Sequence, residues 1–331
     1  MKIRDNMIDP QLRPAGVWLR RLLPRSSPSR LRRGSLALGH IMDLAYRRTP
    51  RGLRVEEVWI DRPEGSRLRV LVYSPTAPVT AATGLLWLHG GGYALGRPEQ
   101  DARCFRRLIG TAGCVIVAPD YRLSTELPYP AALDDAYIAL LWLRDNAIRL
   151  GIRDDQLAVA GESAGGGLTA ALTLLARDRG EVNIAFQMPI YPMLDDRMNT
   201  ESATDNDAPL ANSASLRAAW QLYLGRGRTD DDVPIYAAPA RATDLRGLPP
   251  TFTYVGELEP FRDETVDYVE GLRAAGVPVE FEIHPGCWHG FDRIVPTAEV
   301  SRRALRSRER WFRDAVRTHF APQPEPELDH A

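Results

Sequence analysis

Five consecutive residues, Gly161-Glu162-Ser163-Ala164-Gly165, have the types and spacing that turn a serine oxygen into a nucleophile. Glycines two positions to either side allow a turn so tight that any side chain there would block neighbouring backbone. An apolar run at 157–160 precedes the turn, and an Ala- and Leu-rich stretch at 164–177 follows it. That context predicts a strand-to-helix turn presenting the hydroxyl outward, with the positive end of a helix behind it. A tight structural turn is the bland alternative. The flanking strand and helix patterns, with Gly166 and Gly167 next in line, favour acyl transfer from Ser163.

Acyl transfer through a tetrahedral intermediate also needs donors for an oxyanion. His89-Gly90-Gly91-Gly92 follows a short apolar run at 85–88. Without Cβ atoms, such a loop can crowd backbone N–H groups around a small anion. Gly91 and Gly92 are the expected loop donors, with Gly90 as a third candidate and Ala164 N–H as the donor beside the nucleophile. His89 is expected to anchor the loop rather than carry protons.

The base and its orienting acid should follow the serine in chain order. Of six histidines, His40 and His89 precede it, His330 is in the tail, His319 ends a helical pattern and His284 ends a strand. His289 lies in the loop Gly286-Cys287-Trp288-His289-Gly290-Phe291, past the last strand pattern, where sheets of this kind hold their sites. It is the expected base. The acid should lie after the strand at 251–255, where Glu257, Glu259, Asp263 and Glu264 compete. Glu259 precedes a proline, which biases it to extended geometry and holds it off the following helix. Asp263 and Glu264 suit a helix N-terminus. Glu259 is the expected acid and Asp263 the alternative.

These residues need rigid elements beneath them. Strand patterns at 55–61 and 68–73 suggest a hairpin, and strands are expected at 85–88, 114–118, 157–160, 184–190, 251–255 and 279–284. Helices are expected at 131–149, 164–177, 264–275 and 297–318. The alternation predicts an α/β fold with a mostly parallel sheet and helices on both faces. Two stretches break it. Residues 1–50 carry arginines around an apolar face of Trp18, Leu19, Leu22 and Leu23, and a looser one of Leu36, Ile41, Leu44 and Ala45. Residues 192–247 are polar, with one helix near 214–224. The expected organisation is a core at 51–191 and 248–320, two cap segments at 1–50 and 192–247, and a loose tail at 321–331.

Composition narrows the chemistry. The chain has 331 residues and a formal net charge of -1, so no global field draws it to nucleic acid or anionic lipid. Lys2 is the only lysine among 42 basic residues. A Walker A loop, a pyridoxal Schiff base and an S-x-x-K serine site therefore cannot be built. Cys104, Cys114 and Cys287 are odd in number and lack metal or disulfide spacing. No signal peptide or membrane span is visible, and a cytoplasmic location is expected. No cofactor or metal is called for.

The motifs together resemble the hormone-sensitive-lipase family of α/β-hydrolases, in its bacterial carboxylesterase branch. The resemblance rests on His89 to Gly92, Asp120-Tyr121-Arg122-Leu123, the run from Pro128 to Asp135, Gly161 to Gly166, Glu259 to Glu264 and His289-Gly290-Phe291. It spans about residues 55–318. It implies two oxyanion glycines, a serine nucleophile, an acid before proline and a histidine base. The expected activity is hydrolysis of short- to medium-chain acyl esters through a Ser163-His289-Glu259 triad. Amide, lactone or carbamate hydrolysis, or acyl transfer to another acceptor, would use the same triad. A non-catalytic receptor is the remote alternative, and plant hormone receptors that resemble the family lack its histidine. The family more often has aspartate at the positions of Glu259 and Glu162. Asp120, Asp134 and Asp135 are expected to tie a crossover loop down with Arg122. Trp18, Trp220, Tyr223 and Trp288 are candidates for acyl-pocket lining or core packing. The expected partner is a small ester; the resemblance allows a homodimer, and no nucleic-acid contact or stable membrane insertion is expected.

Overall fold

The computed structural model describes residues 1–22, 27–29, 31, 33, 52–225 and 232–325. Eight strands, β1(Leu53–Asp61), β2(Arg67–Pro75), β3(Ala82–Leu88), β4(Val115–Pro119), β5(Ile152–Glu162), β6(Phe186–Ile190), β7(Thr251–Gly256) and β8(Val279–His284), form one sheet. Its order is β1-β2-β4-β3-β5-β6-β7-β8. The first two strands make the expected hairpin, and β2 pairs antiparallel with β4; every later pairing is parallel.

Every residue of β3, β4, β6 and β7 is buried, as strands are when helices cover both faces of a sheet. That is why the sequence shows continuous apolar runs at 85–88 and 114–118, whereas β6 and β7 bury Gln187, Thr251 and Thr253 among their apolar residues. The covering helices are α2(Ala102–Ala112), α3(Ala131–Asp145), α4(Ala164–Arg179), α6(Arg262–Ala274) and α8(Glu299–Thr318). α2 packs on α8 and α3 on α4. Helix α2 has no expected counterpart, because glycine and arginine dilute its apolar stripe of Phe105, Leu108 and Ile109. Helix α3 stops at Asp145, short of the expected 149. Asn146 there donates its side-chain amide to the Trp142 carbonyl and Gly151 takes a left-handed φ of 70°.

The crossover after β4 is pinned by Asp135, which is fully buried and accepts from Arg62 at 2.7 Å and Arg122 at 2.8 Å. Asp120 pairs instead with Arg69, at 3.2 Å. The expected tie therefore has Asp135 as its centre and Arg62, which the sequence did not single out, as a second partner.

At the N-terminus, α1(Arg13–Leu22) buries only Leu19 of the face expected, and Leu23 lies outside the described residues. Leu12, Gly16 and Leu19 point inward, while Trp18 and Leu22 are 61% and 53% exposed. Gly16 lies against the Trp288 indole and Pro209, where a Cβ would come within 3.0 and 3.2 Å of those side chains and make them give way. The second expected N-terminal face, Leu36 to Ala45, lies outside the described residues. Residues 1–20 contact the 203–209 stretch: Ile3 N–H donates to Asp207 at 2.7 Å, and Arg20 lies 3.4 Å from the same carboxylate. That stretch leads into α5(Ser213–Leu224), capped by Asn212. At the other end, residues 321–323 are docked rather than loose: Ala321 N–H donates to Asp155 carbonyl at 2.8 Å and Gln323 bonds Asn183. No helix among the described residues is long and apolar enough to cross a membrane.

Candidate active site

Ser163 stands between the end of β5 and the start of α4 with φ 60° and ψ -120°. A non-glycine residue adopts this conformation only when its surroundings enforce it. Here the enforcement is steric. A Cβ on Gly161 would lie 2.4 Å from the Gly165 carbonyl oxygen, and one on Gly165 would lie 2.0 Å from that of Leu88. The two glycines let the turn close on itself and on the neighbouring strand. Ser163 N–H donates to Ile190 at 3.0 Å, and Met193 N–H donates back to the Ser163 carbonyl at 3.1 Å.

His289 reaches the serine from a loop after β8, just ahead of the short α7(Phe291–Ile294). Its Nε2 is 2.8 Å from Ser163 Oγ, and its Nδ1 is 2.5 Å from Glu259 Oε2. A carboxylate only accepts, so Nδ1 carries the proton and Nε2 of the neutral ring is left to accept from the serine hydroxyl. Glu259 is fully buried, and its other oxygen accepts from Gly256 N–H at 2.5 Å. Tyr191 and Phe261 meet the imidazole edge-on at 4.8 and 5.0 Å, which fixes its plane.

The competing carboxylates go elsewhere. Asp263 accepts from Ser202 N–H at 2.7 Å and pairs with Arg262 at 2.6 Å. Glu257 accepts from Gly286 N–H at 2.8 Å. Glu264 is buried and accepts from Leu194 N–H at 2.7 Å, and burial pushes its carboxyl well above the usual carboxylate range.

The loop after β3 comes back over the serine. Gly91 has φ 138°, and a Cβ there would lie 2.0 Å from the Leu95 carbonyl oxygen. Its own carbonyl accepts from Ala94 and Leu95. Among the described residues, no acceptor takes the N–H of Gly91, Gly92 or Ala164. Gly90 packs against Glu162 and the Ser163 Cβ. His89 stacks on Tyr121 at 4.0 Å and contacts the Gly90 carbonyl through Nδ1 at 3.0 Å. Burial lowers its pKa to about 4, so it stays neutral and holds the loop.

Behind the turn lies a charge cluster that sequence reading missed. Glu162 lies 2.9 Å from Arg308 and 3.5 Å from Arg293, and Arg293 also pairs with Asp101. Asp101 accepts from the Trp87 indole at 2.9 Å, and burial pushes its carboxyl up to about 6. Asp292 accepts from the Tyr254 hydroxyl at 2.7 Å. Nothing local in the sequence announces that these residues meet, because they come from six separate elements. Among the described residues, no group of three His, Cys, Asp or Glu is placed to hold a metal.

Of the aromatic candidates, Trp220 and Tyr223 are buried on α5 beside the Gly91–Gly92 loop, with Tyr93 stacked on Tyr223 at 3.8 Å. Trp288 is buried next to His289, whereas Trp18 faces outward.

A protein family described by the alpha/beta hydrolase fold matches residues 85–293. Esterase LipI of Mycobacterium tuberculosis is 37% identical over 260 residues, which are 76% of this chain and 81% of that protein. Carboxylesterase NlhH of the same species is 37% identical over 265 residues, 78% of this chain and 83% of that one. Among solved structures, a bacterial heroin esterase aligns with a TM-score of 0.86 and 36% identity, covering 95% of this chain and 99% of its own.

Proposed function

Because the chain belongs to the hormone-sensitive-lipase-like family of α/β hydrolases and is a carboxylic ester hydrolase, we propose that it acts through Ser163, His289 and Glu259 on short- to medium-chain acyl esters. The observation that carries this reading is the unbroken line of hydrogen bonds from Ser163 Oγ through both imidazole nitrogens to a buried carboxylate.

In the first step Ser163 Oγ attacks the ester carbonyl while His289 Nε2 takes its proton. Glu259 holds the ring in the tautomer that can do so and stabilises the imidazolium. The carbonyl oxygen becomes an oxyanion facing the N–H groups of Gly91, Gly92 and Ala164, with Gly90 shaping the loop. His289 returns the proton to the departing alcohol. Water then attacks the acyl-enzyme with the same base and the same donors, releasing the acid and restoring Ser163. We take the described residues within 1–50 and 192–247 as the two cap segments over this site.

Support for the acyl-length limit comes from crowding. Ala219 of α5 lies against Gly92, and the Tyr93, Trp220 and Tyr223 rings fill the space beside the loop. The test is a p-nitrophenyl ester series from acetate to palmitate, with a fluorophosphonate probe of the nucleophile. The expected result is fastest turnover on the shorter esters, with labelling at Ser163 that Ser163→Ala abolishes. Preferred hydrolysis of palmitate would overturn the length limit, and labelling elsewhere would overturn the nucleophile. A matched amide cleaved as fast as its ester would move the chain to amide chemistry on the same residues.

A further inference from the structure

Gly167 lies inside α4, where glycine is disfavoured. A Cβ there would sit 2.1 Å from the Met193 carbonyl oxygen and 2.3 Å from the Tyr93 hydroxyl. The space is occupied by a hydrogen bond: the Tyr93 hydroxyl donates to the Met193 carbonyl at 3.1 Å. The helix is bare at this position because that bond passes against it.

Both ends of the bond belong to the reaction centre. Tyr93 directly follows Gly92, is fully buried and holds φ 58°, a conformation its contacts must sustain. Its carbonyl accepts from Ser124 N–H at 2.8 Å, and its ring stacks on Tyr223. Met193 uses its N–H to bond the Ser163 carbonyl at 3.1 Å. One residue thus holds the nucleophile's main chain with its N–H and the oxyanion loop with its C=O. The next residue, Leu194, donates its N–H to Glu264 on α6, the helix that follows the Glu259 loop.

We infer that Tyr93 is a positioning residue for ester hydrolysis, its hydroxyl setting the placement of the Gly91–Gly92 donors relative to Ser163 through Met193. The hydroxyl touches no substrate. Its effect arises because oxyanion donors must lie within a narrow distance of a charge that exists only in the transition state. A ground-state carbonyl tolerates a slacker loop, so the loss of the bond acts on the chemical step rather than on substrate binding. This inference rests on the acyl-transfer reading of Ser163.

The experiment compares wild type with Tyr93→Phe, which removes the hydroxyl and keeps the ring and its stack. Measured are kcat and KM on p-nitrophenyl butyrate, the fraction of sites titrated by a fluorophosphonate, and Ki for an alkyl trifluoromethyl ketone. Ser163 Oγ adds to that ketone's carbonyl carbon, the serine proton passes to His289, and the ketone oxygen becomes the oxyanion. The expected result is a kcat per titrated site lower by roughly 10- to 100-fold, KM nearly unchanged, and a ketone Ki raised by the factor by which kcat/KM falls. Unchanged kcat overturns the assignment. So does a fall that follows the titrated fraction while Ki stays put, since that is mere loss of folded protein. If wild type is not labelled at Ser163, the acyl-transfer reading itself fails; a labelled wild type beside an unaltered Tyr93→Phe sinks only the role of Tyr93.

Discussion

The carboxylate of Glu259 has two duties, one for each oxygen. One accepts from His289 Nδ1 and the other from Gly256 N–H, with no water-exposed surface left over. Glu259→Gln therefore has no good orientation. An amide NH2 turned to Gly256 meets a donor, and turned to Nδ1 it forces the wrong tautomer on the imidazole. The expected loss in kcat is roughly ten-thousand-fold, with an unchanged circular dichroism spectrum, read by steady-state kinetics. Aspartate is not a neutral replacement here. Its carboxyl falls short by about one C–C bond, ~1.5 Å, and cannot reach both donors from the same backbone. Glu259→Asp should lower kcat by roughly 10- to 100-fold at similar KM, since small misplacements of a catalytic group cost that much. Wild-type kcat in Glu259→Asp would mean the loop shifts freely.

Elements enter through the joints that hold them. The β5–α4 joint closes on the Leu88 carbonyl, so Gly165→Ala must push a strand and a helix apart. The expected cost is more than about 3 kcal/mol of unfolding free energy, measured by urea titration, because no flexible side chain is available to yield. The β4–α3 crossover depends on charge instead. Asp135→Ala would strand the Arg62 guanidinium, 8% exposed, without a counter-charge and leave Arg122 paired with Glu64 alone. Removing one partner of such a buried pair costs about 3–5 kcal/mol. The urea midpoint should fall accordingly, and an unchanged midpoint would show that water replaces the carboxylate at no cost.

Across the whole molecule, buried titratable groups make stability depend on pH. Burial lowers His89 and His284 from 6.5 to about 4. Between those limits the unfolded chain takes up protons that the folded one refuses, so each histidine lowers stability as pH falls through that window. Asp101 acts with the opposite sign. Raised by burial from 3.8 to about 6, it is protonated first in the folded state and returns stability as pH falls through its own window. Replacing one histidine isolates its share. His284→Gln should lose less of its melting temperature between pH 7 and pH 5 than wild type does, whatever the absolute stability of the variant. An equal or greater loss would show that His284 titrates normally, through Glu282, whose carboxylate lies 3.4 Å from its Nε2.

What the linear chain determined by itself was everything that depends on neighbours along it. Glycines at fixed offsets from Ser163 specify the turn, continuous apolar runs specify strands covered on both faces, and a single lysine excludes whole classes of chemistry. Proline after Glu259 was enough to favour that residue over Asp263, because it acts on the adjacent backbone alone. Tertiary structure decided what depends on distance through space. The inward face of α1 is chosen by Trp288 and Pro209, which approach Gly16 from remote parts of the chain, so Trp18 and Leu22 turn outward against their own periodicity. The cluster of Asp101, Glu162, Arg293 and Arg308 has no local signature, since an ion pair needs only a few ångströms of space and no particular sequence separation. The meeting of Tyr93, Met193 and Gly167 is of the same kind: three ordinary residues whose joint role exists only once the loop, the strand end and the helix are packed together.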